Sequence, residues 1–247
     1  MLNLSLKHQK INYKDGFRYW EIIEEKAQYP VSETAIVIVD MWDQHWSTGA
    51  TRRGGVLAGK INEVAKRSRE KGVLIVHAPS DTMDFYEGTE ARNRLFSVQK
   101  LAAIPEPVII EDYPSPEDSK DGGSDTVDKY APNTKAWKRQ TAQIDIDQGR
   151  DVICGDEGDE LFSYLTAKGI KYLIYMGVHT NMCVLGRSFA IKKMLRRGMK
   201  TVLVRDLTDA MYNPERPPYV SHEEGTRLIV EYIEKFYCPT IDSGQLL

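Results

Sequence analysis

Four short apolar runs, each closed by polar or turn residues, set the rhythm of this chain. They are TAIVIVD ending at Asp40, GVLIVHA ending at Ala78, KYLIYMGV ending at Val178 and KTVLVRD ending at Asp206. Each is rich in β-branched residues and too short for a helix, the pattern of a strand buried on both faces. AQIDID, ending at Asp147, and VII at 108–110 are weaker strand candidates. Between the runs lie stretches of helical length with apolar residues three and four apart. These are Val56 to Lys71, Glu157 to Lys168 and Met182 to Arg197, each followed by glycine, and His222 to Phe236. Gly72, Gly169 and Gly198 are natural helix stops. Strands alternating with such helices predict one α/β domain with right-handed βαβ crossovers and a mainly parallel sheet of five to six strands. Residues 1–30 read as an arm or hairpin ahead of a domain spanning 31–247. The segment 111–133, which contains PSPEDSKDGGSD, reads as a long surface loop, equally a lid, an interface arm or disordered chain.

Composition narrows the function classes. A length of 247 residues suffices for one large buried core. A formal charge of −3 without a basic block argues against a nucleic-acid or membrane-surface binder. No apolar stretch reaches the roughly 20 residues a bilayer requires. The N-terminus lacks the apolar centre of a signal peptide, so a cytoplasmic location is expected. Cys154, Cys183 and Cys238 are too scattered for a CxxC pair or a disulfide framework.

In a parallel sheet, ligands bind beyond the carboxyl ends of the strands. That rule selects Asp40, His77, the segment from His179 to Cys183, and Asp206. Asp40 closes a buried run, and from its position alone it is equally a turn residue. Cys183 follows a strand within a few residues and opens a predicted helix. A thiol there gains from the helix dipole and from free backbone N–H groups, which favour the thiolate and can hold an oxyanion. Cys154 and Cys238 have no such setting and read as structural. Lys192, Lys193, Arg196 and Arg197 read as the solvated face of the same helix.

GVHTNMCV after a buried strand, together with IVIVDMW at the first strand, resembles the cysteine hydrolases of the isochorismatase-like superfamily, to which nicotinamidases and N-carbamoylsarcosine and ureidoacrylate amidohydrolases belong. The resemblance runs from about Thr34 to Asp209. It implies a single Rossmann-like three-layer domain with helices on both faces. It also implies hydrolysis of a C–N bond in a small amide, carbamoyl or ureido compound. Cys183 would be the nucleophile, Asp40 the base, and a thioester the intermediate. Backbone groups around Val178, His179 and Cys183 would bind the oxyanion, with a cis peptide expected at Val178–His179. The family triad includes a lysine near the end of the strand preceding the cysteine strand, and AQIDIDQGRDVICGDEGDE contains none. Arg150 has roughly the right spacing, although a guanidinium differs from an ammonium. Lys138 could reach in only if the long loop folds over the site.

Some relatives hold a divalent metal near the pocket, which makes Asp43 and His45 candidate ligands. The expectation preferred here is no cofactor, with Trp42, His45, Trp46 and His77 lining a pocket for a small-molecule substrate. Arg187, one turn past Cys183, is a candidate contact for a substrate carboxylate, and equally an ordinary solvated or ion-paired arginine. The resemblance also implies a homo-oligomer. Two rival readings stand beside the amide hydrolase: a catalytically silent relative that binds a small molecule or a partner, suggested by the missing lysine, and a vinyl-ether hydrolase of the isochorismatase type, which would not need the cysteine.

Overall fold

Asp15 and Gly16, at φ 51° and 82°, turn the chain back on itself and pair β1 (Leu2–Lys14) with β2 (Phe17–Tyr29) along their whole length. Aspartate followed by glycine is the pair a two-residue hairpin favours, because both positions need positive φ. The computed structural model describes residues 1–247. After the hairpin come β3 (Thr34–Val39), α1 (Thr48–Glu70), β4 (Leu74–Ala78), α2 (Glu90–Leu95) and β5 (Val152–Ile153). They are followed by α3 (Gly158–Ala167), β6 (Tyr172–Val178), α4 (Cys183–Gly186), α5 (Ile191–Arg196), β7 (Lys200–Asp209), α6 (His222–Phe236) and β8 (Thr240–Ile241).

The strands form one sheet in the order β2-β1-β8-β7-β6-β3-β4-β5, parallel from β8 to β5 and antiparallel through the hairpin. Eight strands replace the expected five to six. The hairpin adds two, and a two-residue β8 joins it to the body. Neither weak candidate becomes a strand. AQIDID forms turns, and its place is taken by β5 just beyond it. Residues 108–110 lie exposed, with Ile109 95% accessible. Alternation along each central strand splits the core in two. Ile36 and Ile38 of β3 pack with Ala58, Ile61, Val64 and Ala65 of α1. Ala35, Val37 and Val39 face the opposite layer, which contains Leu161 of α3, Met194 of α5 and Ile229 of α6. No helix is long and apolar enough to cross a membrane.

The chain from Phe96 to Asp151 contains no helix or strand, yet it is tied down at many points. Lys192 and Arg196 pair with Asp112, Lys193 pairs with Glu106, and the Tyr113 ring stacks on Phe236 at 4.1 Å. Lys192, Lys193 and Arg196 are therefore clasped by this segment rather than free in solvent. Arg197 is buried and donates to the Gly158 carbonyl at 2.7 Å. Nearer the sheet, segment 124–128 satisfies the first turn of α1. Thr48 N–H donates to Asp128 and Gly49 N–H to Thr126, at 2.7 and 3.0 Å. A helix start leaves such donors without intrahelical partners, which is why an Asp- and Thr-rich segment settles there.

A buried polar cluster fixes the β5 edge. The Arg69 guanidinium donates to both oxygens of Asp151, at 2.8 and 2.6 Å. His77 bridges Asp151 and Gln140, each at 3.0 Å. Removing one partner leaves a buried charge uncompensated, which costs far more than the pair contributes. Arg69→Ala is thus expected to lower stability by about 3–5 kcal/mol. Urea unfolding with an unchanged midpoint would show that solvent reaches Asp151.

Candidate active site

The chain leaves β3 toward β4 and β5 on one side, then returns through β6 on the other, so strand order reverses between β3 and β6. Asp40 follows the carboxyl end of β3, and Cys183 lies five residues beyond that of β6. Val39 lies opposite Gly177, which has φ 113°, and a Cβ there would meet the Val39 carbonyl at 2.1 Å. Only glycine lets the two strand ends approach this closely.

Asp40 follows β3 at φ 44°, a left-handed position that aspartate tolerates, and it is fully buried. Its Oδ1 accepts the Ser80 N–H at 2.7 Å. Its Oδ2 has no hydrogen-bond partner of ideal geometry and faces Arg187 Nε at 3.5 Å. The Cys183 thiol lies next to both Asp40 and Arg187. Burial pushes the Asp40 carboxyl up to about 6, against the opposing effects of Arg187, the thiol and the Ser80 N–H. Burial first, and the Asp40 charge second, push the Cys183 thiol well above the ordinary thiol range. The resting pair is therefore a neutral thiol beside a carboxylate.

This corrects the expectation that a helix terminus favours a resting thiolate. The single helix expected over 182–197 is broken. α4 has only four residues, because Arg187 adopts an extended backbone at φ −62°, ψ 162°. So short a helix carries little dipole, and a nearby carboxylate outweighs it. The same break turns the Arg187 side chain back over Cys183. Its Nη1 lies 3.1 Å from Asp156 and its Nη2 3.0 Å from Asp81. Arg187 is ion-paired with protein carboxylates while it also lines the cavity beside Cys183.

The two other candidate cations are elsewhere. Arg150 is exposed and pairs with Asp147, while Lys138 is exposed and only its backbone N–H, donating to Asp43, touches the site region. Val178–His179 is a cis peptide bond. The backbone N–H groups of His179 and Cys183 have no acceptor within the chain.

A cavity of ≈ 160 Å³ opens beside the thiol. Trp42, His45, Trp46 and Arg187 line it, joined by His179, Met182 and Met211. Trp137 completes the wall, its ring stacked on Trp42 at 4.2 Å and 11°. The His45 ring lies parallel to Trp137 at 5.6 Å and edge-on to His179 at 4.9 Å. Burial pulls His45 down to about 4 and His179 down to about 3, so both are neutral imidazoles at pH 7. His77 does not line the cavity; its fully buried ring is committed to Asp151 and Gln140. Its side chain points into the cluster under β5, a side that strand position alone did not fix.

Asp43 and His45 do not fit a metal centre. Asp43 Oδ1 accepts two backbone N–H groups, from Lys138 and Arg139. His45 Nδ1 accepts the Ser47 N–H at 3.1 Å, and no three His, Cys, Asp or Glu side chains gather as a ligand set.

Asp81, Asp156 and Trp137 were not legible as site residues. Each comes from a loop, and each reaches the site through a turn whose geometry the sequence pattern does not encode. Asp206 proves to lie within β7, pairing with Lys60 and Ser243. The strand continues to Asp209, which binds Arg53 and His222, each at 2.9 Å. Arg53 also grips Asp125, so α1, α6 and the connecting segment meet behind the cavity.

The description "isochorismatase domain" belongs to the family model that matches residues 34–217. Among solved structures, a cysteine hydrolase from Pseudomonas syringae pv. phaseolicola 1448A is similar at 15% identity and TM-score 0.58, over 88% of this chain and 92% of that one. An isochorismatase from Pseudomonas putida KT2440 is similar at 14% identity and TM-score 0.54, over 89% and 94%. An isochorismatase family protein from Burkholderia thailandensis gives 16% and 0.51, over 87% and 93%. At these identities the likeness is one of fold. No curated protein sequence matches the chain.

Proposed function

The chain belongs to the isochorismatase family, and from that premise we propose that it is a cysteine hydrolase cleaving the C–N bond of a small amide, carbamoyl or ureido compound. The observation that carries this reading is the Cys183 thiol standing beside the buried Asp40 carboxylate at an open cavity. A nucleophile needs a base within hydrogen-bond reach and a cation or N–H group to stabilise the charge that develops.

In the proposed reaction, Cys183 sulfur bonds to the substrate carbonyl carbon as its proton passes to Asp40. The oxyanion is taken by the N–H groups of His179 and Cys183. Collapse breaks the C–N bond, and Asp40 returns the proton to the departing nitrogen. Water then attacks the thioester and gives a proton to Asp40. The acid leaves, and Cys183 recovers the proton. Arg187 takes the part of the missing family lysine by offsetting the negative charge on Asp40 and sulfur. A guanidinium stays protonated throughout, so all proton traffic runs through Asp40. The silent-binder reading rested on the missing cation, and Arg187 supports the enzyme reading instead. The presence of Cys183 weighs against a vinyl-ether hydrolase.

Intact-protein mass spectrometry after rapid acid quench with a panel of small amides tests the proposal. An acyl adduct on Cys183 is expected. Undiminished amide hydrolysis by protein carboxamidomethylated at Cys183 would overturn it.

Two further outcomes follow from the electrostatics. Because the base must be ionised, kcat/KM is expected to climb as pH rises through about 6 and then level off. An acid limb near 4 would instead indicate a solvated Asp40. Arg187→Ala should lower kcat/KM by about 10²-fold and move that limb upward, because Asp40 loses its opposing cation. A lower rate with an unmoved limb would restrict Arg187 to shaping the pocket.

A further inference from the structure

We infer that two copies of this chain join edge to edge through β2, so that their sheets become one across a two-fold axis at Glu21. β2 is the last strand of the sheet, and no strand pairs with its outer side. Its 13 residues, without proline or bulge, make a long open edge of the kind that proteins ordinarily shorten, twist or cover. Which backbone groups face outward follows from the turn. Lys14 and Phe17 flank a two-residue loop, so they and every second pair beyond them exchange hydrogen bonds. The Tyr13 N–H, opposite Arg18, donates to Asn12 Oδ1 at 2.8 Å instead. Arg18, Trp20, Ile22 and Glu24 therefore turn their N–H and C=O groups to the open edge.

The side chains of those four residues share one face and are all exposed, with Trp20 38% and Ile22 58% accessible. Their order is cation, apolar, apolar, anion. Laid antiparallel on itself about Glu21, that order sets Arg18 opposite the partner's Glu24 and Trp20 opposite the partner's Ile22, each pair occurring twice. Both are combinations that stabilise a sheet, an opposite-charge pair and an aromatic against a β-branched residue. Other registers lose this match. About Ile22, Arg18 would face Lys26; about Ile23, Glu21 would face Glu25; about Trp20, Arg18 would face Ile22. On the opposite face, the register about Glu21 sets Tyr19 against Ile23 and brings the two Glu21 carboxylates together. Each Glu21 already accepts from Asn12 Nδ2 at 2.8 Å and has Lys10 opposite it in β1, which offsets that meeting.

Trp20 is held ready for the contact, its ring edge-on to Phe236 at 5.5 Å, so little side-chain freedom is lost on pairing. The paired stretch runs from Phe17 to Glu25, and each hairpin ends at its turn just beyond the partner's Glu25. A contact of that length lies near the low end of stable interfaces, roughly 1,200 Å² in total, so a micromolar dissociation constant is expected.

Sedimentation equilibrium of the full chain across roughly 1 to 200 µM tests the inference, with a thermal melt to show that each variant is folded. The wild type is expected to reach twice the chain mass. Arg18→Glu and Glu24→Arg each turn two attractions into two repulsions and should weaken association at least ~10-fold. An equimolar mixture of these two variants should recover it, because both charge pairs between unlike chains again have opposite signs. Ile22→Pro removes an outward N–H that β1 does not use, and should leave a folded monomer. A wild type that stays monomeric throughout overturns the inference and leaves the edge to a different protein. A dimer that survives both Arg18→Glu and Ile22→Pro overturns it too, since the contact then lies elsewhere. Charge variants that dissociate without recovering on mixing overturn the register about Glu21.

Discussion

Cys183→Ala protein is expected to hydrolyse its cognate amide at about 10⁻⁴ of the wild-type rate or less. The loss follows from bond making. Without sulfur there is no covalent intermediate, and water would have to attack the amide directly with only Asp40 and the free N–H groups to assist. Stability should change little, since the thiol is partly exposed at the cavity floor rather than packed in the middle of the core. Ammonia release measured alongside a thermal melt separates loss of chemistry from loss of fold. A folded variant retaining a tenth of the activity would show that sulfur is not the attacking atom.

Asp40→Asn should cost roughly 10³–10⁴ in amide turnover, in the range for removing a base that a nucleophile depends on. The amide is nearly isosteric, and its oxygen can still accept the Ser80 N–H, so the turn after β3 persists. A second readout moves the other way. The Asp40 charge is one of the causes that hold the Cys183 thiol high, while Arg187 acts to lower it. Removing the carboxylate leaves the guanidinium unopposed, so iodoacetamide should modify Cys183 faster at pH 8 in the variant than in the wild type. Slower turnover with faster alkylation is the signature of a base that shares its proton with the thiol. If both rates fall together, Asp40 is a structural residue and the proton acceptor lies elsewhere.

The parts of this protein legible in its sequence are those governed by local pattern. The runs ending at Asp40 and Val178 are β3 and β6, and strand ends at a reversal of order are where Asp40 and Cys183 meet. His222 to Phe236 forms α6 with the same ends as its apolar periodicity. What escaped the pattern depends on contacts distant in sequence. Nothing in GRSFAIKK announces that helix α4 stops at Gly186, because the stop accompanies capture of Arg187 by carboxylates 31 and 106 positions away. AQIDID has the alternation of a strand, but the Ile144 N–H bonds the Thr141 carbonyl and the Gln143 N–H bonds Thr141 Oγ1, which folds its start into a turn. Trp137 carries no signal at all in a loop without periodicity. It became visible only through its stack on Trp42.

From Glu106 to Asp128 the connecting segment is fastened chiefly by ion pairs and helix-capping hydrogen bonds, with a few aromatic contacts such as Tyr113 on Phe236. Fastenings between partly exposed charges weaken as dissolved salt screens them, whereas the apolar contacts of the sheet do not. The segment and the sheet therefore belong to separate cooperative units, with the segment opening at a lower free energy. Amide hydrogen exchange in the first turn of α1 would quicken with added sodium chloride while the strands stay protected. The part of the cavity wall at Gly122 would thus respond to ionic strength, and the strands that end at Asp40 and Val178 would not.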